Sequence, residues 1–169
     1  QGTPLELAII ECLKAFGFQA DQFEDDSSEF DAVFKSAEGR CLGEAEGKDK
    51  THINISKFQQ LERNILEDLG RDDVEEPAKA VLFGNAFRLS APGDRGSFFT
   101  EKCMQAAVRT GTALVRTPDL FAPAQYLLEH PEDTEFAKKC RTVIFDTRGD
   151  VVAFPTPPKS RPKRKKSTS

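Results

Sequence analysis

Two glutamates and a lysine alternate along Leu42-Gly43-Glu44-Ala45-Glu46-Gly47-Lys48, and an aspartate, Asp31, sits on the extended run before it. In a strand, alternate side chains share a face. Leu42, Glu44, Glu46 and Lys48 are therefore expected to point one way, and Cys41, Gly43, Ala45 and Gly47 the other. With Asp31 on the neighbouring strand, that face gathers three acids and one lysine. Hard cations such as Mg²⁺ or Mn²⁺ take carboxylate oxygens, and phosphoryl transfer uses such cations. The same residues equally fit the solvated face of a hairpin edge, where mixed charge is common.

The elements that must carry these residues follow from periodicity and punctuation. Leu5, Ala8, Ile9, Cys12, Leu13 and Phe16 recur at helical spacing, with Gly17 as a C-terminal cap. Strands are expected over 18–23, 30–35 and 40–47, the last two joined through Glu38-Gly39. Phe30, Ala32 and Phe34 then face the core and leave Asp31 on the other side. Residues 54–69 read as a helix with the stripe Phe58, Leu61, Ile65 and Leu69, and Ser56-x-x-Gln59 resembles a capping box. The apolar run 78–84 reads as a buried parallel strand. A helix over 100–110, a strand over 113–115 and a helix from Thr117-Pro118 to about Glu129 follow. A closing hairpin is expected from 142–146 and 151–154 around Arg148-Gly149. The sum is an α/β architecture, a mixed sheet flanked by helices, over residues 1–154.

Composition narrows the chemistry. The 169 residues include 14 Phe, enough for a sizeable core, but no Trp and one Tyr, so stacking platforms for bases are few. No apolar run approaches the ~18 residues of a membrane span, and no membrane partner is expected. Cys12, Cys41, Cys103 and Cys140 form no C-x-x-C pair and read as buried, reduced thiols of a cytoplasmic protein. Only His52 and His130 are present, which disfavours a histidine metal site and most histidine triads. No Gly-rich phosphate loop or nucleophile elbow occurs. The final eleven residues hold six basic side chains, Lys163 and Arg164 among them, and no acid. Without them, 18 basic residues face 28 acids, a body near −10. Residues 155–169 are expected to be a disordered basic tail that tethers nucleic acid, or a solvated end without a role.

The element order, with an acid on the second strand and a glutamate on the third, resembles the restriction-endonuclease-like superfamily of PD-(D/E)xK nucleases. The likeness runs over residues 4–128. It includes Leu5-Glu6, Phe16-Gly17-Phe18 and Phe30-Asp31; its later stretches, 80–87, Phe99-Thr100-Glu101 and 111–121, look like Mrr-like bacterial members. The resemblance implies a restriction-endonuclease-like fold and Mg²⁺- or Mn²⁺-dependent hydrolysis of DNA, with RNA as another substrate, in restriction or defence. It implies metal-binding carboxylates at Asp31 and Glu44. The family usually has lysine two residues after that glutamate, where this chain has Glu46; Lys48 is next on the same face, and Glu46-Gly47-Lys48 is a second register for the motif. Glu46 would recruit a second metal, or bind one metal without cleavage. The alternative is a catalytically inactive nuclease-like module that binds nucleic acid or a protein.

Further positions come from the resemblance and from the ends of strands, where α/β sites gather. Glu6 matches a helical acid that reaches the metal in some relatives, or else simply favours a helix N-terminus. Gln59 and Gln60 lie where relatives carry a glutamine near the cleft. Lys50, Lys57 and Arg88 are candidates for nucleic-acid phosphates, and Asn85 and Arg95 adjoin them near the end of the fourth strand. Upstream domains of a longer chain are among the expected partners; oligomeric state is not encoded in any of these features.

Overall fold

The computed structural model describes residues 4–24 and 29–158. Helix α1 (Pro4–Ala15) buries Ile9, Ile10, Cys12 and Leu13. It ends where Gly17 takes φ of 87°, a left-handed backbone that L side chains rarely adopt. The Gly17 N–H bonds Lys14 O and the Phe18 N–H bonds Leu13 O, so the orphan carbonyls of the last turn are paired. The chain then enters a meander of β1 (Gln19–Glu24), β2 (Glu29–Ser36) and β3 (Gly39–Gly47). Both pairings are antiparallel.

Helix α2 (Ile55–Leu69) returns the chain so that β4 (Lys79–Asn85) lies parallel to β3. Helix α3 (Glu101–Thr110) makes the next crossover, and β5 (Ala113–Arg116) lies parallel to β4. The five strands stand in sequence order in one mixed sheet. A 3-10 turn over Thr117–Leu120 leads into α4 (Phe121–Glu129), and α5 (Thr134–Asp146) completes the helices. This is the expected mixed sheet flanked by helices.

Two apolar layers sandwich that sheet. Val81 and Phe83 of β4 face a core shared with Leu13, Phe16, Phe34, Leu127 and Ile144. Leu82 faces the opposite core with Ile53, Phe58, Leu61, Phe99 and Ala106. The alternation on β4 assigns α1, α4 and α5 to one face and α2 and α3 to the other. Cys41 packs in the first layer while Leu42 lies in a small cluster beside α2, as the period of two requires.

Three expectations need correction. Residues 142–146 belong to α5, whose Asp133 cap accepts the Phe136 N–H and whose Phe136, Cys140 and Ile144 are buried at fourfold spacing. The β-branched Thr142, Val143 and Ile144 imitate a strand locally, but burial follows the helix. No hairpin forms with Val151, which instead bridges Leu114 along the free edge of β5. Helix α2 is capped by Asn54, which accepts the Ser56 N–H, and not by a box starting at Ser56. Its last expected apolar contact, Leu69, is 39% exposed, whereas Asp68 beside it is 1% exposed. Arg40 holds both Asp68 oxygens, at 2.7 and 2.5 Å, and so makes that burial tolerable. Among the described residues, no helix is long and apolar enough to cross a membrane.

Candidate functional site

The β2–β3 ladder runs from Ser36↔Gly39 to Ala32↔Gly43. One step beyond it, Asp31 Oδ2 accepts the Ala45 N–H at 2.8 Å, so a side chain takes over from the backbone pairing. That bond turns the Asp31 carboxylate toward β3. Glu44, next to Gly43, is fully buried on the same face. The expected strand alternation therefore brings Asp31 and Glu44 together beneath α2.

What joins them is Lys57. Its Nζ stands 2.7 Å from Glu44 Oε2 and 3.2 Å from Asp31 Oδ2, and it donates to Gln60 Oε1 at 3.3 Å. Asn64, one heptad along α2, donates from Nδ2 to Glu44 Oε1 at 2.6 Å. Lys57, Leu61, Asn64 and Asp68 form one inward stripe, and its three polar members each meet a charge on β2 or β3. Both oxygens of a fully buried carboxylate are thus addressed from one helix.

The electrostatics follow from this burial. Glu44 is pushed up to about 7, first by desolvation and then by the Asp31 charge, against the pull of Lys57. Burial works against the Lys57 charge, but Glu44 and Asp31 more than offset it and hold the ammonium above the ordinary lysine range. The pair of acids shares one cationic nitrogen, which offsets part of the repulsion between two like charges held this close.

Glu46 and Lys48 continue along the same face. Their side chains pair at 2.7 Å, with Glu46 16% and Lys48 34% exposed. Lys48 is therefore engaged by Glu46, while the ammonium at the Asp31/Glu44 pair comes from α2. Among the described residues, nothing hydrogen-bonds the buried Glu46 Oε2, and Glu44 Oε2 faces Lys57 as an ion pair without a well-aligned hydrogen bond. Buried polar atoms are rarely left this way unless water or an ion completes them. Oxygen donors of this kind fit a hard divalent cation. Asp31 and Glu44 would hold it, with Glu46 adjoining on the strand. Among the described residues, no three His, Cys, Asp or Glu side chains are arranged to hold a metal as they stand, so Lys57 would have to yield ground to an ion.

Comparison of the chain with models of known families, with curated proteins and with solved structures returns no match.

The remaining described candidates make contacts of their own or stand exposed. Glu6 on α1 accepts from Gln22 Nε2 of β1 at 2.9 Å. Lys50 and Gln59 are exposed. Arg88 donates from Nε and Nη2 to Asp49 Oδ1, at 2.9 and 2.5 Å, and its guanidinium lies where a Cβ on Gly47 would sit 3.0 Å away. The absent side chain at Gly47 thus lets Arg88 fold back over the end of β3. Asn85 accepts from Arg95 through Oδ1 at 3.2 Å and from the Lys48 N–H through its carbonyl, so both residues fasten the loop after β4. Lys163 and Arg164 lie outside the described residues.

The cysteines carry no competing chemistry. All four are free and buried, and burial pushes Cys12 up to about 11 and Cys140 up to about 12, which keeps both as thiols. Sequence reasoning missed Asn64 and Asp68 and gave Lys57 only a peripheral role. The available signal was the 57-61-64-68 spacing, which places polar residues on the buried side of α2 beside Phe58 and Leu61.

Proposed function

We propose that this chain is a metal-dependent phosphodiesterase domain of the restriction-endonuclease-like type, acting on DNA with Mg²⁺ or Mn²⁺. The observation that carries this reading is the convergence of Asp31 and Glu44 on a single cationic nitrogen. The order of elements, with the acid on β2 and the glutamate on β3, supports it. A divalent ion bound by these carboxylates would polarise the scissile phosphate and lower the pKa of a bound water. Lys57 supplies the positive charge that the family motif usually draws from the strand. Its role is to hold the carboxylates together before substrate arrives and to stabilise charge growing on the phosphate oxygens. Lys48 and Glu46 adjoin this centre as a pair, and Arg88 and Lys50 offer cations for the flanking phosphates.

The direct test is incubation of plasmid and linear DNA, and of RNA, with the protein, with and without Mg²⁺ or Mn²⁺. Metal-dependent cutting that is lost in Asp31→Ala and Glu44→Ala is expected. No cutting of any nucleic acid, or cutting that survives both substitutions, overturns the reading. A second reading, a catalytically inactive module that binds nucleic acid or a protein, draws on two observations. Lys57 already neutralises the acid pair, and Lys48 is tied to Glu46. Salt-dependent DNA binding without metal-dependent hydrolysis is the outcome that favours it.

A further inference from the structure

Glu44 is the most enclosed acid of the candidate site, and its two oxygens have different neighbours. Oε1 takes the Asn64 amide at 2.6 Å, and Oε2 faces the Lys57 ammonium at 2.7 Å. Asn64 itself is 3% exposed on the inward stripe of α2. A carboxylate with one oxygen fixed by a neutral donor cannot turn that oxygen toward a cation without breaking a buried hydrogen bond. Its other oxygen is thereby committed to the place it shares with Asp31 Oδ2.

We propose that Asn64 is a positioning residue of the cation site: its amide pins Glu44 Oε1 and so presents Glu44 Oε2, with Asp31 Oδ2, to the incoming metal. This rests on the reading of the Asp31/Glu44 pair as a cation site. Asn64 does not touch the ion; it acts through Glu44, as outer hydrogen-bond partners of metal ligands generally do. The neutral amide suits this task because it orients the carboxylate without competing for its charge. A lysine or arginine at the same point would neutralise Glu44 from both sides and leave a divalent ion little to gain.

The test uses Mn²⁺ alone, with free Mn²⁺ followed by its electron paramagnetic resonance signal, on the full chain without nucleic acid. Asn64→Ala is expected to weaken Mn²⁺ binding by about tenfold or more. Asn64→Ser, polar but too short to span to Oε1, carries the same expectation and serves if the alanine variant does not fold. In a Glu44→Asp background, whose carboxylate is withdrawn from the Asn64 amide, Asn64→Ala should change Mn²⁺ affinity less than twofold. Such a double-mutant cycle isolates the coupling between the two residues. Binding that depends on Asp31 but is unchanged in Asn64→Ala overturns the positioning role and leaves the cation site standing. An equal loss in both backgrounds overturns it too, because Asn64 would then act otherwise than through Glu44. Absence of Mn²⁺ binding by the unaltered chain removes the cation site and this inference together.

Discussion

Lys57 and Lys48 stand differently toward the acid pair, and the proposed activity assigns the ammonium at the phosphate to Lys57. The strand lysine is held by Glu46, whereas the helix lysine bridges the two acids. Under the proposed activity, Lys57→Ala should slow single-turnover DNA cleavage by about 10²-fold or more, the scale of losing one preorganised charge at a developing anion. Lys48→Ala should cost less than about tenfold. The reverse order would return the catalytic ammonium to the strand. Glu44 titrates near 7 in the folded chain against an ordinary value of 4.5, so the folded state holds its proton more firmly. Stability should therefore fall as pH rises from about 4.5 to about 7 and level off above. Glu44→Gln removes this titration. Its stability relative to the natural chain should rise by up to about 3 kcal/mol between pH 4 and pH 8 in metal-free buffer. Urea unfolding at both pH values measures it, and a difference that does not change with pH would mean the carboxylate ionises without penalty.

At the scale of elements, the sequence revealed most where a pattern was both long and locally punctuated. The strand alternation through β3 put Leu42, Glu44 and Glu46 on their observed face because a period of two admits no other arrangement in a sheet covered on both sides. The helix α1 ended at Gly17 because only a glycine adopts that backbone freely. Asp68 was missed and the 142–146 segment misread for one shared reason. Their burial depends on partners distant in sequence, Arg40 for the first and the packed layer of α1 and α4 for the second, and no local window contains those partners. Arg141 is the plainest such link. From α5 it donates Nε and Nη2 to Glu38 at the β2–β3 turn, at 2.8 and 3.0 Å, and Nη1 to the Phe16 carbonyl at the end of α1, at 2.8 Å. That guanidinium holds the Glu38 carboxyl down to about 2. The depressed value means stability that is present above pH 4.5 and lost as pH falls toward 2. Arg141→Ala should lower the melting temperature at pH 7 by roughly 3–8 °C, from the loss of charge-assisted bonds joining three elements. It should also flatten the acid limb of the stability profile. A melting temperature within 1 °C of the natural chain would mean that α5 is held by its apolar face alone.

At the scale of the whole molecule, the question is where the fold stops and where the basic end begins to act. The Val152 N–H bonds Leu114 O at 2.8 Å, and the Leu114 N–H bonds Asp150 O at 3.0 Å, so the chain after α5 covers the free edge of β5. Val152 is 1% exposed, and the Phe154 ring packs 5.5 Å from that of Phe16. Composition alone placed the boundary at 154 because Pro155, Pro157 and Pro158 follow; Phe154 is packed, and Pro155 and Pro157 after it are half-buried. A chain ending at Pro158 should accordingly melt within about 1 °C of the full chain. One ending at Asp150 loses the packed side chains of Val151, Val152 and Phe154 and an edge pairing, and should lose roughly 3 kcal/mol or more. The six basic residues beyond Pro158 then become separable from stability. If they contact phosphates of bound DNA, ending the chain at Pro158 should weaken binding chiefly at low salt. It should also flatten the slope of log affinity against log salt by up to about 5, as counterion release for six charges requires. Fluorescence anisotropy on a short duplex at several salt concentrations reads both quantities. The slope matters more than the affinity, because an acidic body near −10 repels DNA at low salt and would mask a weak tether in any single measurement. An unchanged slope assigns all phosphate contacts to the folded body, where Lys50 and Arg88 are the first candidates to supply them.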